Sequence, residues 1–249
     1  MEFGVDEAGK GPVLGSMFAA AVVADPADLP DGVGDSKDIP PERRRDLAAT
    51  IREVADVAVA EIPVERIDDA ETDMNTLTVA AHAEALAGVA EDGLSGNVDA
   101  GDTNAVRFER RVGDRVDADI DIHAEHGADE TYQVVGAASI IAKVERDAHV
   151  AALAERYGDV GSGYPSDPAT RKFLESYVRA NEALPPCARA SWQTSQDALA
   201  ALSQSSLGDF EPRSDGGHAD PDTESEAGTG EPTPDGGWCE PRPTTLDEF

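Results

Sequence analysis

The sequence predicts an α/β protein built on a mixed sheet flanked by helices. Three observations carry that reading. Residues 1–5 and 17–24 are apolar runs of strand length, joined by a turn holding Gly9, Gly11 and Gly15, a connection too short for anything but an antiparallel pair. Beyond them, Val- and Ala-rich runs alternate with segments whose apolar residues recur every three or four positions, the order of strand and crossover helix. The pattern ends in helical segments alone, which predicts a C-terminal helical extension.

In chain order, Pro40 and Pro41 open a helix that runs through Leu47 and Ile51 to about Val54. Residues 55–64 return as a strand. Asn75 is expected to cap a helix over 76–90, with Gly93 as its stop. A short strand over 95–100 ends at Val98-Asp99, after which Asp102 or Thr103 caps the helix of Val106, Phe108 and Val112. Residues 118–124 form the last strand. A long helix then spans about 132–157, with Val135, Ile140, Ile141, Val144 and Ala148 at helical spacing and Gly158 as terminator. Residues 161–168 read as a loop, and helices over 168–181 and 191–203 complete residues 1–204. From 205 to 249, Gly, Pro, Ser, Asp and Glu dominate, and such a stretch buries too little to offset its ordering entropy. An acidic, disordered tail is expected there.

Acidic residues number 51 against 20 basic ones, a formal charge of −31, which ordinarily argues against a polyanionic partner. Here the acid is spread along the whole chain and lysine is confined to Lys10, Lys37, Lys143 and Lys172. That distribution fits a very salty cytoplasm, where screening lengths shrink to about 3 Å and the charge no longer decides the partner. No apolar run is long enough to span a bilayer, and Cys187 and Cys239 have no metal or redox spacing. A soluble, cytoplasmic monomer without disulfides is expected.

The candidate chemistry lies in acids at strand ends and the loops after them: Asp6 and Glu7, Asp99, and Asp129. Carboxylates converging from several elements are what hard divalent cations require, and a pair of such cations serves phosphodiester hydrolysis. Adjacent strand residues face opposite ways, so Asp6 and Glu7 share a site only if the chain bends there, and Ala8-Gly9 supplies a bend. Other residues have simpler readings: Asp102 as a cap, Asp147 as an ion-pair partner of Arg146, Trp192 as a packing anchor, and Arg43-Arg44-Arg45 as a solvated helix face. His126 stands equally well as a proton-transfer aid or as a surface turn.

Gly4-Val5-Asp6-Glu7-Ala8-Gly9-Lys10-Gly11-Pro12-Val13-Leu14-Gly15 resembles the opening of the type 2 ribonucleases H. So do Asn97-Val98-Asp99-Ala100, residues 124–129, and the helix run Ala137-Ala138-Ser139-Ile140-Ile141-Ala142-Lys143-Val144-Glu145-Arg146-Asp147. Residues 161–167 and Arg189-Ala190-Ser191-Trp192-Gln193-Thr194 are similar to the archaeal and eukaryotic branch. The chain thus resembles an archaeal ribonuclease HII over about 200 residues. That resemblance implies a ribonuclease H-like fold and an endonuclease that cuts the RNA strand of RNA:DNA hybrids and nicks on the 5′ side of ribonucleotides embedded in duplex DNA. It implies that Asp6, Glu7, Asp99 and Asp129 hold two Mn²⁺ or Mg²⁺ ions, with Asp6 bridging. Gly9, Lys10 and Gly11 would offer amides to the ribose 2′-hydroxyl, Tyr164 would stack on the neighbouring sugar, and Lys37 and Lys143 would contact phosphates. Departures are Lys10 for the commoner Arg, Ser16 for the usual Pro and Gly127 for a frequent Lys. Leu246 and Phe249, after Thr244-Thr245, resemble a shortened motif that docks on the replication sliding clamp, with Pro243 in place of its glutamine. A clamp-recruited nucleic-acid-binding module without strong catalysis is the alternative; a phosphatase or calcium-binding domain would use the acids but leave Gly9-Lys10-Gly11 and Tyr164 unexplained.

Overall fold

β1 (Glu2–Ala8), β2 (Met17–Ala24), β3 (Asp56–Ile62), β4 (Ser95–Asp99) and β5 (Asp121–Glu125) form one sheet in the order β3-β2-β1-β4-β5. The computed structural model describes residues 1–34 and 39–208; Lys37, Leu246, Phe249 and the tail from 209 onward lie outside them. β2 pairs antiparallel with both β1 and β3, whereas β1, β4 and β5 are mutually parallel in sequence of pairing. The mixed sheet expected from the short first turn and the later helical crossovers is therefore present. The helices are α1 (Pro41–Val54), α2 (Val64–Ile67), α3 (Met74–Ala87), α4 (Ala105–Gly113), α5 (Ala128–Thr131), α6 (Gln133–Tyr157), α7 (Pro168–Asn181) and α8 (Gln193–Gly208).

Strand alternation divides the core. Phe3, Val5, Met17, Ala19 and Ala21 pack with Leu77, Val79 and Leu86 of α3 and Phe108 of α4. Their neighbours Ala20 and Val22 pack on the opposite face with Leu47 and Ile51 of α1 and with Val134, Ile140 and Ile141 of α6. A third cluster seats Val13 and Leu14 of the β1–β2 connection on Phe173, Leu174 and Val178 of α7. That cluster ties the C-terminal extension to the first turn of the chain.

Several boundaries differ from expectation for identifiable reasons. β1 runs three residues further than the apolar pattern because backbone pairing with β2 continues to Ala8↔Phe18, whatever the side chains. α3 begins early, at Met74, because Asp73, not Asn75, accepts the amide of Thr76 at 2.9 Å; it stops at Gly88, not Gly93. α4 is capped by Asn104, whose side chain accepts from Arg107 N at 2.9 Å, not by Asp102 or Thr103. The strand expected over 55–64 ends at Ile62, where Pro63 opens the single turn of α2. The last strand starts at Asp121 instead of 118, and the helix expected to end at 203 continues to Gly208.

Gly4 fixes how closely α6 can lie on β1. A Cβ there would stand 2.3 Å from the carbonyl carbon of Val134 and 2.4 Å from the amide of Val135, both backbone atoms that cannot turn aside. Gly4→Ala is expected to lose about 3 kcal/mol by forcing the helix off the sheet, a fall of about 6 to 12 °C in melting temperature for a domain of this size. Gly34→Ala, which meets nothing within 4 Å, serves as the control and should melt near the wild type in the same high-salt buffer.

Candidate active site

The chain does not bend between Asp6 and Glu7; it stays in the strand and turns at Gly9, whose φ of 91° suits only glycine. The two acids therefore leave opposite faces of the sheet and meet around its end, where β4 stops at Asp99. On the α6 side the Ser139 hydroxyl bonds the Asp6 carboxyl, and Lys143 Nζ donates to Ser139 Oγ at 2.6 Å. On the α3 side His82 Nε2 donates to Glu7 Oε2 at 2.7 Å. Asp99 Oδ1 accepts the amide of Ala128 at 2.9 Å, and Asp129 lies buried in the single turn of α5 that begins there, entered through Gly127 at φ 71°.

Crowding shows in the titration of these groups. Burial, then the charge of Glu7, holds the Asp6 carboxyl well above the usual carboxylate range. Burial likewise raises Asp99, and the charges of Glu7 and Asp129 add to it. Burial would also raise Glu7, but its hydrogen bond from His82, with Lys10 nearby, brings it below the ordinary value. As the side chains stand, no three His, Cys, Asp or Glu among the described residues are grouped to hold a metal ion. The donor set is nevertheless all carboxylate, partly buried and mutually repelling, and its oxygen chemistry fits a hard divalent cation.

A cleft of about 400 Å³ opens beside Glu7, lined by Gly9, Lys10, Gly11, Arg44, Lys143, Arg146 and Tyr164 among others. Four cations thus converge on one cleft in a chain of formal charge −31. Lys10 Nζ donates to the Gly101 carbonyl. Arg44 Nη2 pairs with Asp147 Oδ2 at 2.8 Å, so one of the three arginines read as a solvated face turns inward, while Arg43 and Arg45 are exposed. Arg146 donates to Ser162 O, and its guanidinium lies 4.9 Å from the centre of the Tyr164 ring, which remains 40% exposed at the rim.

The Gly9-Lys10-Gly11 loop is held from the far end of the chain. Arg189, fully buried, donates to Gly9 O at 2.6 Å, Lys10 O at 2.9 Å and Gly15 O at 2.8 Å. Trp192 Nε1 donates to Gly11 O at 3.4 Å and stacks under the Arg189 guanidinium, which makes it the packing anchor expected. Because C=O and the following N–H point opposite ways across a planar peptide, carbonyls drawn inward leave the amides of Lys10 and Gly11 turned outward. Neither amide donates to another backbone group of the described residues. Burial, with Arg146 close by, brings Arg189 down to about 10.

The simpler readings of the remaining residues are refined. Asp102 lies buried 2.5 Å from Arg107 and 4.0 Å from Arg111; the Arg107 hydrogen bond, with Thr103 beside it, lowers its carboxyl, and Asn104 takes the cap position of α4 instead. His126 is exposed, with Nδ1 3.2 Å from Ala100 O. Ser16 uses groups that proline lacks: its hydroxyl donates to Glu61 Oε1 at 2.6 Å and its amide to His149 Nε2 at 3.2 Å. His82, Ser139, Arg44, Arg146 and Arg189 carry contacts that sequence reasoning did not assign. Ser139, Arg146 and Arg189 stood in the motifs that carry the resemblance without an assigned contact, and His82 left a separate signal, a lone imidazole in the run 77–83. Arg189→Lys replaces a three-armed donor by one ammonium; losing one or more charged hydrogen bonds of about 1.5 kcal/mol each should speed hydrogen exchange at Val13, Leu14 and Gly15 by about tenfold or more. Unchanged exchange there would mean that the loop does not hang on Arg189.

A sequence model of the ribonuclease HII family matches residues 3–195. The ribonuclease HII of Haloarcula marismortui is 72% identical over 211 residues, spanning 84% of this chain and all of that one. Among solved structures, ribonuclease H2 from Pyrococcus horikoshii superposes with a TM-score of 0.76 at 34% identity, covering 81% of this chain and 98% of its own. Ribonuclease HII in the PCNA:RNase HII complex from Archaeoglobus fulgidus does so with a TM-score of 0.72 at 38% identity, covering 78% and 95%. The chain belongs to the ribonuclease HII family of endoribonucleases, close to its haloarchaeal members.

Proposed function

We propose that the protein hydrolyses the RNA strand of RNA:DNA hybrids and nicks duplex DNA on the 5′ side of single embedded ribonucleotides, leaving a 3′-hydroxyl and a 5′-phosphate. One observation supports this above the rest: a single cleft combines Glu7, which is electrostatically linked to Asp6 and Asp99, with outward-turned amides, four cations and an exposed tyrosine. Asp6, Glu7, Asp99 and Asp129 would hold two divalent ions, Mn²⁺ or Mg²⁺. When bound, such ions activate water and neutralise charge on the phosphate under attack.

The chain's own groups have separate tasks. The amides of Lys10 and Gly11 would donate to the ribose 2′-hydroxyl, the group that separates RNA from DNA. Tyr164, backed by Arg146, would pack on the adjoining sugar and so favour the RNA-to-DNA junction. Lys143 and Arg44 would contact flanking phosphates, and Lys37 belongs to the same expectation. The gathered acids exclude a bare phosphate backbone from their end of the cleft until their charge is compensated, so binding would depend on divalent ions.

The test is a labelled duplex carrying one ribonucleotide, incubated in high salt with Mn²⁺ or Mg²⁺, with the nick mapped. Incision on the 5′ side, abolished by chelator, is expected; cleavage of long hybrids alone would remove the role given to the loop amides and Tyr164. Asp6→Asn should lose at least about 10³-fold in rate, the scale of a charge-stabilising group. In chelator the same variant should melt at or above the wild type. The sign follows from the raised Asp6 carboxyl: at neutral pH the buried charge destabilises the folded state, and the amide removes it.

A partner reading has its own support. The Archaeoglobus fulgidus ribonuclease HII was solved in a complex with PCNA, and this chain ends in Leu246 and Phe249 at a spacing of three. Docking of that end on a sliding clamp would place the domain at newly replicated DNA. Deleting residues 244–249 should abolish co-elution with the clamp while leaving the nicking rate unchanged; retained binding would retire the assignment of Leu246 and Phe249.

A further inference from the structure

His82 is fully buried in α3, and its ring meets Phe108 edge-on with centroids 5.0 Å apart. Among the described residues its Nδ1 has no hydrogen-bond partner, and its polar contact is Nε2 to Glu7 Oε2 at 2.7 Å. Packing alone would be served as well or better by an apolar ring, because a buried ring nitrogen without a partner is a liability. The imidazole is explained by Glu7.

The other Glu7 oxygen is placed by the backbone. Gly101 packs against it: a Cβ at that position would stand 3.1 Å from Glu7 Oε1 and 2.5 Å from Thr78 Cγ2. Gly101 lies two residues beyond Asp99, and its carbonyl accepts from Lys10. The Glu7 carboxylate is thus tethered to α3 through Oε2 while Oε1 faces the end of β4. Asp6 is held separately, from α6, through Ser139 and Lys143.

We propose that His82 is a positioning residue for Glu7, holding Oε2 so that Oε1 is presented to the carboxylates at the end of β4. The inference rests on the reading of Asp6, Glu7, Asp99 and Asp129 as ion ligands. Partners of this kind set ligand orientation, and their loss typically weakens metal affinity by about 10- to 100-fold.

The test is Mn²⁺ binding to the full chain in high salt without nucleic acid, read from the loss of the free-ion electron paramagnetic resonance signal. His82→Phe keeps a ring against Phe108 and removes the donor; His82→Gln restores an N–H. The Phe variant should bind Mn²⁺ about tenfold more weakly and need correspondingly more Mn²⁺ for half-maximal cleavage, and the Gln variant should recover most of both. In a Glu7→Gln background the Phe change should add nothing further. If His82→Phe does not melt cooperatively, His82→Met takes its place, being unbranched and able to fill the same space. Wild-type Mn²⁺ affinity in the donor-free variant, or a Gln variant no better than Phe, would overturn the proposal. Asp6→Asn in the same titration separates the two levels. If Asp6→Asn loses Mn²⁺ and His82→Phe does not, only the role of His82 falls; if Asp6→Asn binds Mn²⁺ as the wild type does, the ion-ligand reading falls and the role of His82 with it.

Discussion

The close seating of α6 on β1 is the contact from which the site follows. With no side chain at Gly4, the helix backbone at Val134 and Val135 lies directly on the strand. One turn further on, Ser139 comes over Asp6, and Lys143 follows at i+4 to donate to it. Another turn brings Arg146 to the loop of Ser162 and Tyr164. Residues 139 and 146 are separated by roughly 10 Å along the axis at 1.5 Å per residue, so one helix serves both Asp6 and the Tyr164 side of the cleft. A helix lifted by one methyl group would misplace all three side chains together.

The acids themselves oppose this arrangement. Asp6 and Asp99 are raised by burial and by their neighbours, so the end of the sheet stores repulsion that Lys143 offsets only in part. The surrounding elements resist it from two layers. Glu7 is held by α3 and Asp6 by α6, and the strand between them remains paired with β2 through both residues. Such strain is the usual mark of a functional site, because a core optimised for stability alone would not gather like charges.

Much of this was legible in the chain. The short glycine turn between two apolar runs announced an antiparallel pair, and the later helical periods announced parallel crossovers; both are present in the order β3-β2-β1-β4-β5. Asp6, Glu7, Asp99 and Asp129 were visible as acids at strand ends, and the structure brings them to one end of the sheet. What could not be read depends on contacts distant in sequence. Arg189 holds carbonyls about 180 residues away, and no local pattern reports that. The caps were missed where two or three polar residues stand in a row, as at Asp102, Thr103 and Asn104, since each can accept an amide and only the turn geometry selects one. The bend at Ala8-Gly9 was read from its glycine, but β1 was ended at Val5 and not at Ala8 because side-chain patterning carries no information on where backbone pairing ends.

How a chain of charge −31 admits a polyanion is answered by distribution and not by sum. Lys10, Arg44, Lys143 and Arg146 converge on the cleft that also holds the loop amides, while most of the acid lies elsewhere. In concentrated salt, charges beyond a few ångströms are screened, and only groups in near contact with a ligand act on it. Counterion release then drives association weakly, which shifts the burden to short-range donors. Peptide amides suit that role, since they carry no counterion to lose and their direction is set by the backbone. Arg189 sets it here, by turning the carbonyls of Gly9 and Lys10 away from the cleft. On the role proposed for the loop amides, a buried arginine spent on backbone oxygens becomes part of the means by which an acidic surface recognises a nucleic acid.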